Sequence, residues 1–279
     1  MAGLVREWLN SPPGRRFHQG CNNDARLNGR RDMLALVSIG GLSLLASPPA
    51  TAATFEQNSN SLAALGMAPR DLSFPDVFEG HWKVESVLTK VELPFGEEAV
   101  PDLAVVKRAQ AEDLDKIVKY PIHFQRNANG SVILDRKYNT AAMLEIYTGM
   151  SLEDVMSRIQ WKASSPDHLE ISMPGGLRVT SDVTRRSQEL LSDDLLETSE
   201  FYQQLVDSAQ MQNVRLKASR AYTKWRWREA DGPADNVPTI VATQVISDFL
   251  SPYDQKATIL QSLGKPVTIY TYRMSFKKM

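Results

Sequence analysis

Gly80-His81-Trp82-Lys83-Val84-Glu85-Ser86-Val87-Leu88-Thr89 sets the reading of this chain. Trp82, Val84, Ser86 and Leu88 alternate with Lys83, Glu85, Val87 and Thr89, so successive side chains point to opposite faces and a strand is predicted over 81–93. Two more strands, 120–126 and 131–138, flank Asn127-Ala128-Asn129-Gly130, whose Asn-Gly pair supplies the positive φ angles of a tight hairpin. Further strands are expected at 156–162, 168–173, 176–186, 213–228, 237–250 and 266–276, with Pro174-Gly175-Gly176 as a turn. Two segments read as helices. Residues 101–118 carry Leu103, Val106, Leu114 and Ile117 among charges, and residues 194–209 place Leu195, Leu196, Phe201, Leu205 and Val206 at helical spacings. The latter segment could instead continue a strand into 213–228. Many antiparallel strands, few helices and no βαβ rhythm predict a mainly β fold, a closed or nearly closed barrel with one or two short helices.

Composition fits one globular domain. The 279 residues carry 32 Lys+Arg against 33 Asp+Glu, a formal charge of −1, with 42% hydrophobic and 23% charged residues. The absence of a basic excess argues against nucleic-acid binding. One cysteine, Cys21, excludes an internal disulfide framework.

The charge is unevenly distributed. Residues 1–52 hold six Arg, no Lys and three acids, Glu7, Asp24 and Asp32, which leaves the remainder at −4. An Arg-rich, acid-poor leader has the pattern of an organelle transit peptide. Arg30-Arg31 then precede an apolar run, Met33 to Ala46, followed by Ser47-Pro48-Pro49 and Ala50-Thr51-Ala52. The twin arginines, with small Ala50 and Ala52 before the cut, predict a signal cleaved after Ala52. The run is shorter than the roughly 20 residues of a spanning helix, so no permanent transmembrane anchor is expected. The bipartite leader resembles those of chloroplast proteins sent to the thylakoid lumen; a bacterial export signal with a long n-region is the alternative. The expected organisation is a disordered presequence over 1–52, a flexible lead-in over 53–73 and a β-barrel domain over 74–279. Without Cys21 the mature chain has no thiol, which excludes thiol chemistry.

Two features are similar to lipocalins. Gly80-His81-Trp82 matches the Gly-x-Trp at the start of their first strand, and Arg273 sits in the last strand. The resemblance implies a latch in which the Arg273 guanidinium packs over Trp82. The ordered region also resembles an uncharacterised thylakoid-lumen domain family of plants, algae and cyanobacteria. The matching blocks are Phe74-Pro75-Asp76-Val77-Phe78-Glu79-Gly80-His81-Trp82-Lys83-Val84, Tyr120-Pro121-Ile122-His123-Phe124, Ile133 to Asn139, Phe249-Leu250-Ser251-Pro252-Tyr253-Asp254 and Pro266 to Arg273. That resemblance implies location and fold, and little chemistry.

Candidate chemistry is sparse. His81, His123 and His168 have no metal-ligand spacing, and His123, between Ile122 and Phe124, is the histidine expected to face an interior. No nucleophile elbow, P-loop or dinucleotide fingerprint occurs. Asp193, Asp194, Glu197 and Glu200 read as a solvated helix start, and Asp135 with Arg136 as an ion pair at a barrel end. Asn129-Gly130-Ser131 is a glycosylation acceptor already explained by the hairpin. The most distinctive run is Tyr222 to Arg228. Trp225 and Trp227 share one face there, and Lys224, Arg226 and Arg228 the other. It reads as a strand with an aromatic inner and basic outer face, or as a pocket wall or docking stripe. His123, Tyr222, Trp225 and Trp227 are thus the candidate ligand-binding residues.

The sequence names no cofactor. The expected function is that of a non-enzymatic accessory protein of the thylakoid lumen. It would bind a hydrophobic small molecule such as a lipid, pigment or quinone, or dock on the lumenal face of a photosynthetic membrane complex. The alternative is a barrel enzyme of isomerase or cyclase type, acting on a lipid or pigment. A barrel filled by its own side chains would remove the internal pocket on which both small-ligand readings depend.

Overall fold

The structure is a computed structural model that describes residues 71–208, 214–228, 239–251, 254, 262 and 264–279. In chain order these form β1 (Gly80–Glu92), α1 (Leu103–Arg108), β2 (Ile117–Arg126), β3 (Val132–Leu134), α2 (Arg136–Thr148), α3 (Leu152–Ser157), β4 (Ile159–Lys162) and β5 (Ser165–Met173). β6 (Leu177–Ser192), β7 (Leu195–Ser208), β8 (Arg215–Trp227), β9 (Ile240–Phe249) and β10 (Thr268–Lys278) follow. All ten strands belong to one antiparallel sheet, ordered β3-β2-β1-β10-β9-β8-β7-β6-β5-β4.

The fold is mainly β, as expected, and the sheet curls into a half-barrel. First and last long strands pair directly, Trp82 opposite Lys278 and Glu92 opposite Ile269. The ring opens between β3 and β4, the two shortest strands, and α2 and α3 join them across the opening. Phe74, the first residue of the expected barrel domain, covers the free edge of β3, where its amide donates to the Val132 carbonyl at 2.9 Å. Covering an edge in this way hides backbone groups that would otherwise recruit another strand.

Local chemistry explains the boundaries. In the β2–β3 turn the Asn127 side-chain oxygen accepts from the Asn129 and Ser131 amides, and Gly130 takes φ +81°. The strand expected over 131–138 stops at Leu134, because Asp135 caps α2 by accepting from the Tyr138 amide at 3.0 Å. The strand expected at 156–162 is shortened in the same way, since Ser151 caps α3. The helix expected over 101–118 forms over 103–108 and runs on as a single π turn over 109–113. It ends where Asp115, at φ +60°, hands its amide to the Leu88 carbonyl.

The helix expected at 194–209 is β7, one arm of the long β6–β7 hairpin. Leu196, Thr198, Glu200, Tyr202, Gln204 and Val206 are its buried positions. Three of these six are strongly polar, which hides the period-two pattern from a reading based on hydrophobicity.

Three apolar clusters hold the fold. The largest fills the half-barrel around Trp82, Phe124, Trp225 and Phe276. A second lies between α2, α3 and strands β4 to β7, and a third sits beneath α1 on β1, β9 and β10. Among the described residues no helix is long and apolar enough to cross a membrane.

Candidate functional site

The residues singled out from sequence do not converge. Trp225 and Trp227 point inward. Trp225 is 1% exposed, lies within 5.8 Å of the Phe74, Phe78 and Phe276 ring centres, and donates its indole N–H to Thr198 Oγ1. Tyr222 lies on the opposite face of β8, where Glu197 and burial together raise its pKa, burial contributing most. Two of the three cations beside it are matched by acids, Lys224 Nζ lying 2.9 Å from Glu197 and Arg226 Nε 3.6 Å from Asp194.

His123 faces outward, contrary to expectation, because Tyr120, Ile122 and Phe124 take the inward positions of β2. It sits directly opposite His81, and the two imidazoles stack with centres 4.1 Å apart and planes 8° from parallel. His123 Nδ1 is 3.1 Å from Asp135, and Tyr138 meets both rings edge-on. Burial, then the neighbouring His123, push the His81 pKa down, while Asp135 opposes them. Among the described residues no set of three His, Cys, Asp or Glu side chains is placed to hold a metal ion.

The Trp82–Arg273 latch is not formed. Arg273 is exposed and opposite Val87, five residues along β1 from Trp82, or about 17 Å at a strand's rise. Strand parity also places the two on opposite faces. Lys278 takes the cation's place, with Nζ 5.4 Å from the Trp82 ring centre. The Trp82 indole N–H donates to the Phe78 carbonyl at 2.6 Å. Gly80, at φ +109°, lies under Lys278 in a conformation that side-chain-bearing residues rarely adopt. Arg30, Arg31, Ala50 and Ala52 lie outside the described residues.

Asp135 and Arg136 do not pair with each other. Asp135 serves His123 and the α2 cap, while Arg136 enters a buried charge network. Its guanidinium donates to both carboxylate oxygens of Glu200, at 3.0 and 2.8 Å, and to Asp71 at 2.7 Å. Arg186, 2% exposed, donates to Glu200 from the other side and to Asp167. Burial alone would raise the Glu200 carboxyl, but the two arginines outweigh it and hold it at about 2. Glu200 is therefore an ionised structural anchor, not a solvated helix start.

Sequence reasoning missed a surface groove of about 430 Å³ on the outer side of β6 to β8. It is created by a β-bulge between Val183 and Arg185. The extra residue shifts the parity of β6, so that Arg186 turns inward to Glu200 and Arg185 turns outward. Arg185 then stands opposite Phe201, which stands opposite Arg220 on β8. One step along, Gln203 faces Ala218, which faces Phe249. Adjacent arginines in the sequence, Arg185-Arg186, were the one available signal, since strict alternation would place only one of them in water.

Fold and surface together define an antiparallel up-and-down half-barrel with a packed interior and a basic-aromatic groove outside it. Residues 66–279 match the model of a family described as a domain of unknown function (DUF6816), and the chain belongs to that family. No match was found among curated proteins or among solved structures.

Proposed function

We propose that this protein is a non-enzymatic accessory protein of the chloroplast thylakoid lumen, working through its outer surface and docking there on a photosynthetic membrane complex. The observation that carries the reading is the filled interior. Trp82, Phe78, Phe124, Trp225 and Phe276 are each at most 1% exposed and occupy the space that an internal lipid, pigment or quinone would need. The two deeply buried carboxylates of the charge network, Glu200 and Asp71, are both bonded to arginine, Glu200 by two of them, and neither is free to serve as an acid or base. The cyclase alternative therefore has less support. The bipartite leader and the block resemblance support the lumenal location.

The test is affinity purification of tagged residues 53–279 from thylakoids, with lipids and pigments analysed beside proteins. A membrane complex recovered in stoichiometric amount is the expected result. Recovery of a tightly held pigment or lipid without any complex would overturn docking. A fluorescent-protein fusion of residues 1–52 that stays in the cytosol would overturn the location.

A further inference from the structure

We infer that the outer groove of β6 to β8 binds a small amphipathic organic anion, a carboxylate or phosphate carried on an apolar body. The inference rests on the reading that the working surface lies outside the sheet, and not on the lumenal location.

Charge points to an anion. Among the described residues that line the groove, three are arginines and none is acidic. Arg186 is committed to the buried network on the inner side. Arg185 and Arg220 have no carboxylate partner among the described residues, whereas Lys224 and Arg226 further along β8 are each matched by an acid. Arg guanidiniums present paired N–H donors that fit the two oxygens of a carboxylate or phosphate.

The walls point to an apolar body. The Arg185 guanidinium carbon lies 4.8 Å from the centre of the Phe201 ring, and Phe201 packs on Phe249 with centres 5.3 Å apart. These rings sit on the outer face of the sheet, away from the main core. Ala218, between Gln203 and Phe249, carries only a methyl group, and a larger residue there would fill the groove. The volume falls in the range of about 300–1,000 Å³ typical of small-molecule sites. Aromatic walls with a few placed polar groups are the usual composition of such sites. The register fixes the arrangement, because both cations flank Phe201 on neighbouring strands about 5 Å apart.

Isothermal titration of the full chain with 2-naphthoate, the neutral 2-naphthamide, inorganic phosphate and laurate tests this. The expected result is saturable naphthoate or laurate binding with one site. Naphthamide and phosphate should each bind at least about tenfold more weakly than the better acid. The R185Q/R220Q variant should lose at least about tenfold in affinity with its melting temperature unchanged. A218L should block binding by occupying the space, and the arginine variant decides the matter if A218L fails to fold. Tighter binding of laurate assigns a lipid-derived acid, and of naphthoate a soluble ring acid. Failure of both acids to bind, equal binding of naphthamide, or undiminished binding by R185Q/R220Q would overturn the inference. Those outcomes leave the docking reading standing, since complex recovery from thylakoids is a separate measurement.

Discussion

Replacing Glu200 by Gln removes the charge at the centre of the buried network while nearly conserving its volume. Arg136 then keeps Asp71, and Arg186 keeps Asp167, as a counter-charge. Removing one member of a buried ion pair costs about 3–5 kcal/mol. The same charge has a pH signature. The carboxyl falls from 4.5 in the open chain to about 2 in the fold. At about 1.4 kcal/mol per pH unit, this contributes about 3 kcal/mol. Because the folded value is depressed, the contribution is complete above about pH 4.5 and is lost as pH falls from there toward about 2. The assay is urea unfolding followed by tryptophan fluorescence, for wild type and E200Q, at several values between about pH 7 and about pH 2.5. Wild type should be more stable by about 3–5 kcal/mol at neutral pH, and the gap should shrink by most of 3 kcal/mol across the acid range. A gap that stays constant with pH would refute the assignment of Glu200 as the ionised centre.

Trp225→Ala should destabilise by about 3–5 kcal/mol in the same assay, while Arg226→Ala, one residue on and outward, should change stability by about 0.5 kcal/mol or less. Lys278→Ala should cost up to about 1 kcal/mol through its lost contact with Trp82, and Arg273→Ala essentially nothing; the reverse order would restore the expected latch. In an NMR titration His81 should show a midpoint below 6.5, and Asp135→Asn should lower it further because Asp135 favours the charged ring. A midpoint raised by Asp135→Asn would contradict the stacked geometry.

Legibility in the sequence followed chemistry. β1 and the end of β8 were readable because apolar inward residues alternate with charged outward ones, as in Trp82-Lys83-Val84-Glu85 and Lys224-Trp225-Arg226-Trp227, while β9 and β10 were readable from their β-branched and aromatic content, as in Thr268-Ile269-Tyr270-Thr271-Tyr272. β7 was not, because Thr198, Glu200 and Gln204 occupy inward positions, where Thr198 meets Trp225 and Glu200 meets Arg136 and Arg186. α2 was missed although Asp135 and the Ala141-Ala142-Met143-Leu144 run carried a usable cap and helix-forming residues. The preceding Ile133-Leu134 continued a hairpin too persuasively. Of the ligand set, the inward orientation of Trp225 and Trp227 was legible from parity, which equally separates them from Tyr222. His123 was misplaced because its apolar neighbours mark the inner face and the histidine between them takes the outer one. The groove depends on a bulge, and one inserted residue leaves little trace in composition.

The charge network and the opening of the ring are one feature. A sheet closed by hydrogen bonds needs nothing else to hold its seam, as β1 and β10 show. Between β3 and β4 no ladder forms among the described residues, and apolar packing of α2 is non-directional, so it does not fix how the two sides align. The network supplies direction at that place. Asp71 comes from the lead-in on the β3 side, Arg136 from the start of α2, Asp167 from β5, and Arg186 and Glu200 from β6 and β7. Each donor reaches its acceptor only if the two sides sit at one separation, so the buried charges act as a register device more than as a source of net stability. The bulge that turns Arg186 into this network is the same one that turns Arg185 out into the groove. A single inserted residue therefore couples the seam to the outer surface, and deleting Thr184 should disturb the acid stability and the anion affinity together.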